Sequence, residues 1–238
     1  MSNLKTIGIG LGVMVAVLGL IAFRQSPKRP SVATVPGATR YLPLGDSYTI
    51  GESVAEAERW PNQLVKRLAN DGKQLQIVDN PSVTGYTTQN LIDRELPLVT
   101  QLKPDFVTIQ IGVNDYVRGV DAETFKEHLD YIITTVQGQL AKSGNIVLVT
   151  IPDYGKTPTG AQYGSPQESE KGIKAFNDTI IAAGDKYKLP VADIFTVSQE
   201  VARDPSLIAD DGLHPSGKQY TAWTNVIHQT LRAAQLPL

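Results

Sequence analysis

The 238-residue chain contains no cysteine. That removes disulfides, thiolate nucleophiles, thiolate-bound metals and any lipid anchor built on cysteine. Histidine is nearly as scarce, with three residues, and none stands among Asp or Glu at metal-ligand spacing. A zinc mechanism and a bound metal are therefore not expected. There is no excess of one charge either: 22 Lys and Arg stand against 24 Asp and Glu, for a formal net charge of −2. Nothing in that balance suggests a nucleic-acid surface. The glycine-rich patches follow neither a phosphate-loop nor a dinucleotide-binding pattern. Internal repeats and low-complexity tracts are missing.

One long apolar run is present, over residues 7–23. It carries no charge, with Lys5 before it and Arg24, Lys28 and Arg29 after it. Its length is at the short edge of a membrane span. We expect a transmembrane anchor over residues 1–23, with a cleaved signal segment as the alternative. Residues 24–37 are proline-containing and aperiodic, and read as a tether. Residues 38–238 form one domain, expected on the extracytoplasmic side of a membrane, or secreted if the signal is cleaved.

Within that domain, short β-branched runs fall at residues 40–44, 75–78, 106–111, 146–151 and 191–195. The third and fourth read as strands buried on both faces. Between them lie helical stripes. Trp60, Leu64 and Leu68 share one face, and residues 88–98 form a short helix. Phe125, Leu129, Ile132, Ile133, Val136 and Leu140 make the strongest stripe. Ile173, Phe176 and Ile180 make another, and Tyr220, Trp223, Ile227, Leu231 and Ala234 make the last. This alternation predicts an α/β fold with a mostly parallel sheet of about five strands and helices on both faces. Residues 153–168 are aperiodic and read as a surface loop.

In such sheets, ligands bind beyond the carboxyl ends of the strands. Three polar clusters follow the first three strands: Gly45-Asp46-Ser47, Thr84-Gly85, and Gly112-Val113-Asn114-Asp115. Each alone is a turn sequence; together they mark a site. A serine hydroxyl needs a base to become a nucleophile. His128 and His228 lie inside helical stripes and read as partly exposed helix residues. His214 stands outside any periodic segment, in Asp211-Gly212-Leu213-His214-Pro215. One turn can bring the Asp211 carboxylate to the imidazole, fixing its tautomer and freeing the other nitrogen.

Gly45-Asp46-Ser47-Tyr48-Thr49-Ile50-Gly51 resembles the first block of the GDSL-type, or SGNH, hydrolase family. Gly85, the Gly112-x-Asn114-Asp115 element and the Asp211-x-x-His214-Pro215 element resemble the remaining three blocks, in family order. The resemblance implies a flavodoxin-like three-layer α/β/α sandwich and a Ser47, His214, Asp211 triad. It also implies an oxyanion hole made by the backbone N–H of Ser47, the backbone N–H of Gly85 and the side-chain amide of Asn114. No cofactor is implied. Tyr48, Val113 and Pro81 depart from the common pattern and are expected to shape the rim. Asp46 and Asp115 are expected to orient loops by accepting backbone N–H bonds.

The chemistry that follows is hydrolysis of acyl esters through an acyl-enzyme. Short-chain esters or O-acetyl groups, small or on the cell envelope, are favoured as substrates. Lysophospholipase or thioesterase activity is an alternative, as is acyl transfer to envelope glycans. A non-catalytic, carbohydrate-binding envelope module is a third reading. No obligate protein partner is inferred, and the expected membrane contact is through the N-terminal segment.

Overall fold

The computed structural model describes residues 35–238. The apolar run over residues 7–23 and most of the tether lie outside the described residues. Among the described residues, no helix is long and apolar enough to cross a membrane.

Five strands form one sheet: β1 (Thr39–Gly45), β2 (Leu75–Ile77), β3 (Phe106–Gln110), β4 (Ile146–Val149) and β5 (Val191–Ala192). Their spatial order is β2-β1-β3-β4-β5, and every pairing is parallel. All residues of β3 and β4 are buried. Side chains alternate between faces along a strand, so both faces of the central sheet are covered.

The helices described are α1 (Ser47–Ile50), α2 (Trp60–Asn70), α3 (Thr88–Arg94), α4 (Leu96–Leu102), α5 (Val113–Val117), α6 (Ala122–Gln139), α7 (Pro166–Tyr187), α8 (Phe195–Ser198) and α9 (Gly217–Ala234). Helix α2 packs on α9, while α6 packs on α3, α4 and α7. The apolar stripes face inward: Trp60, Leu64, Phe125, Ile132, Ile173, Trp223 and Ile227 are all buried. Side chains at helix termini set several boundaries. Thr87 accepts the Asn90 N–H ahead of α3, Asp121 accepts two N–H groups ahead of α6, and Ser216 caps α9.

Four sequence-based expectations need correction. The single helix expected over residues 88–98 is two, broken at Glu95. Pro97 has no N–H to continue the first helix and sits instead in the first turn of the second. The last strand stops after Ala192. There Asp193 accepts the Phe195 N–H and the Thr150 hydroxyl, and Thr150 accepts the Ile194 N–H, so side chains replace the ladder. Residues 153–168 are not simply a surface loop, because Asp153, Tyr154, Thr157 and Gly160 are buried. His228 is buried rather than partly exposed. Its ring accepts Arg67 Nε–H at 3.1 Å and meets Asp71 at 2.5 Å.

The order of strands places β1 beside β3. From β1 the chain runs to β2 on one side and then returns to β3 on the other. Such a reversal opens a crevice at the carboxyl ends of the two central strands. Gly45 permits the close approach there, since a Cβ would lie 2.4 Å from the Gln110 carbonyl oxygen.

Candidate active site

Ser47 is the first residue of α1, directly after β1. Asp46 caps that helix by accepting the Tyr48 N–H at 3.0 Å. Asn114 lies in the first turn of α5, after β3. Gly85 lies in the loop that follows β2, with φ +84°, a backbone state that favours glycine. His214 sits before α9 on a pinched loop, where Ile208 bridges Pro215 and Ala209 N–H bonds the His214 carbonyl at 2.8 Å.

These elements converge. Ser47, Gly85, Asn114 and His214 line one cleft of about 210 Å³, together with Tyr48, Thr84, Val113, Val117, Tyr154, Tyr163 and Leu213. Asp211 stands behind the imidazole. Its Oδ2 is 2.6 Å from His214 Nδ1, and its Oδ1 accepts the N–H groups of Leu213 and His214, both at 2.9 Å. Ser53 donates its hydroxyl to Oδ2 at 2.6 Å. Burial would raise the Asp211 carboxyl. The hydrogen bonds from Ser53, from the His214 ring and from the two backbone N–H groups outweigh it and hold the group well below the usual carboxylate range. Asp211 is thus ionised and bonded through both oxygens, which orients the ring with Nδ1–H toward it and the Nε2 lone pair free. Among the described residues, neither His214 Nε2 nor Ser47 Oγ is held by a hydrogen bond to another group. Such contacts commonly tighten only when substrate binds.

The two other aspartates act as acceptors. Asp46 Oδ2 takes an Asn114 amide N–H at 3.3 Å, and the other Asn114 hydrogen goes to the Tyr86 carbonyl at 3.0 Å. Burial pushes the Asp46 carboxyl up to about 7, with the field of Asp115 adding to the rise. The Tyr48 N–H and Asn114 oppose it. Asp115 accepts the Thr88 N–H at 2.9 Å and the Thr88 hydroxyl, tying α5 to α3. The Thr88 hydroxyl is also 2.8 Å from His128 Nδ1.

Sequence reasoning missed several contacts. Tyr48 is only 4% exposed, so it does more than shape a rim. Its ring lies 5.3 Å from the His214 ring and 6.1 Å from that of Trp223, packing between the two. The Ser53 contact spans 158 residues and leaves no local signal. Arg118 anchors the Gly85 carbonyl at 2.7 Å, which steadies the loop carrying the Gly85 N–H. Larger hollows of about 410 and 490 Å³ lie between α2 and α9, but neither is lined by the Ser47 and His214 pair.

The sequence matches the GDSL-like Lipase/Acylhydrolase family over residues 44–222. The chain belongs to that family. An arylesterase of Vibrio mimicus is 28% identical over 186 residues, covering 77% of this chain and 83% of its own. The thioesterase 1/protease 1/lysophospholipase L1 of Escherichia coli K12 is 27% identical over 180 residues, covering 75% and 76%. The crystal structure of a lipase/acylhydrolase from Enterococcus faecalis shares the fold, with a TM-score of 0.66 at 24% identity, covering 82% of this chain and 96% of that one. As a member of the GDSL-like family, the protein is a carboxylic ester hydrolase acting on small-molecule esters.

Proposed function

We propose that the protein hydrolyses short-chain carboxylic esters through an acyl-enzyme on Ser47. The observation that carries the reading is the meeting of four distant segments in one cleft: Ser47 after β1, Gly85 after β2, Asn114 after β3 and the Asp211–His214 pair before α9. In the first step Ser47 Oγ attacks the carbonyl carbon while His214 Nε2 accepts its proton. The negative charge that develops on the carbonyl oxygen meets the N–H groups of Ser47 and Gly85 and the Asn114 amide. The Ser47 N–H heads α1, so it has no acceptor within the helix. The Asn114 hydrogen held at 3.3 Å by Asp46 is the weaker of its two bonds, and is the one available to the oxyanion. Loss of one such donor costs about a hundredfold or more in rate. His214 then protonates the leaving alcohol, and next takes a proton from the water that releases the acid.

The size of the cleft supports a small acyl group, since sites for drug-sized ligands usually measure about 300–1,000 Å³. A longer acyl chain is the second reading. Val117 and Tyr163 line the cleft yet are 41% and 58% exposed, so an extended chain could lie across them. A hydrolysis screen of nitrophenyl esters from acetyl to palmitoyl separates the two. We expect activity to fall beyond about four carbons and to drop about 10⁶-fold in Ser47→Ala. Equal activity on long chains would replace the short-acyl reading with the second. Product analysis with an added alcohol checks for acyl transfer. The apolar run over residues 7–23 supports a tethered or exported domain, which fractionation of cells expressing the full chain would test.

A further inference from the structure

The turn that follows α1 touches three parts of the site at once. The N–H groups of Gly51 and Glu52 both bond the Ser47 carbonyl at 3.0 Å. The Glu52 carboxylate accepts the hydroxyl of Thr84, the neighbour of Gly85. Ser53, one residue on, donates to Asp211 Oδ2. Three consecutive residues therefore link the nucleophile, the Gly85 loop and the carboxylate behind the base.

Ser53 adopts φ +64°, in the left-handed region that disfavours residues with a Cβ. The side chain is exposed, so packing does not hold it there. Its recorded polar contact is the 2.6 Å bond to Asp211. A glycine would take this backbone without strain. A serine keeps it at a cost, and what it gains is a hydroxyl aimed at the carboxylate.

We propose that Ser53 is a positioning residue of the active site, acting through Asp211 on His214. This rests on the serine-hydrolase reading above. With Oδ1 fixed by two backbone N–H groups, the Ser53 hydroxyl fixes Oδ2 and so sets the plane of the carboxylate. It also shares Oδ2 with the imidazole. Without it, the Asp211 carboxylate loses the first of the hydrogen bonds that hold it ionised, so the Asp211–His214 pair gives way at a higher pH on acidification. Other ionisable groups face this region: Glu52 on the same turn, Asp46 on β1's end, and Asp153 and Tyr154 on the segment after β4, with Tyr48 and Tyr220 packed behind the ring. None of them hydrogen-bonds Asp211 Oδ2, so Ser53 is the contact to remove.

The test compares Ser53→Gly and Ser53→Asn with the parent full chain, using nitrophenyl acetate and Ser47→Ala as the control. Glycine relieves the backbone and deletes the donor. Asparagine tolerates the left-handed state and restores a donor. We expect Ser53→Gly to melt no lower than the parent, to lose about tenfold in kcat/KM, and to shift the acid limb of its pH profile to higher pH. Ser53→Asn should recover rate and return the limb toward its original position. An unshifted limb in Ser53→Gly, whatever the rate, would overturn the proposal. Full activity in Ser47→Ala would instead overturn the serine reading beneath it, and the proposal with it.

Discussion

The protein carries two buried histidines, each tightly paired with an aspartate, one just before helix α9 and one within it. His214 meets Asp211 at 2.6 Å just before the helix, and His228 meets Asp71 at 2.5 Å within it. By distance and burial the pairs are alike, at 7% and 5% exposed. They differ in the second nitrogen. Arg67 Nε can only donate, so His228 Nδ1 must accept, and the neutral ring carries its proton on Nε2 toward Asp71. His214 has the opposite tautomer, with Nδ1–H on Asp211 and, among the described residues, no hydrogen bond at Nε2, and its ring shares a cleft with Ser47. A carboxylate beside an imidazole therefore does not make a base. What separates the two rings is a second nitrogen left without a hydrogen bond, on a ring that lines the cleft.

The largest expected effect comes from exchanging the two rings for alanine. His214→Ala should lower kcat by about 10⁶-fold. His228→Ala should leave kcat within about twofold, yet lower the melting temperature, because it removes a buried ring that joins Arg67 to Asp71 and opens a gap. Parallel kinetics and thermal melts check both. A matching rate loss in His228→Ala would erase the distinction.

Two aspartates near the site sharpen the contrast in pH. Asp46 is raised from its ordinary 3.8 to about 7, so between those values the folded state binds more protons than the unfolded chain. Its contribution to stability is present below that range and declines as pH rises through it. Asp211 is lowered, so its contribution is present above the ordinary carboxylate range and lost as pH falls below it. Denaturant melts from about pH 4 to 8 should show Asp46→Asn flattening a downward slope in stability. The Asp211→Asn variant should leave that slope intact while losing about 10⁴-fold in kcat. The smallest effect expected is from Tyr48→Leu. It removes the ring behind His214 and should cost only severalfold in kcat/KM, with KM nearly unchanged.

Much of this was legible in the chain. Runs of Val, Ile and Phe marked the strands, and the stripes of α6, α7 and α9 gave the buried faces. The order of the strands was not legible, because pairing between distant segments leaves no local mark. His228 was misjudged although a signal existed: Tyr220, Thr224 and His228 are spaced by four, so the histidine falls on the buried stripe of α9. Ala234 was assigned to that stripe but is exposed near the helix end. The Asp211 and His214 spacing could be read because both lie in one turn. Ser53 could not, since nothing in its neighbours announces a partner 158 residues away. Asn177 is buried, and its amide clasps the backbone of Ile151 through both oxygen and nitrogen.

The pinched loop from Leu207 to Ser216 closes on itself, with Ser216 N–H on the Leu207 carbonyl and Ala209 N–H on that of His214. Asp211 and His214 travel inside it as one cassette, their mutual angle written into ten residues. Drift in the surrounding scaffold can shift that cassette toward or away from the serine without disturbing its own internal alignment.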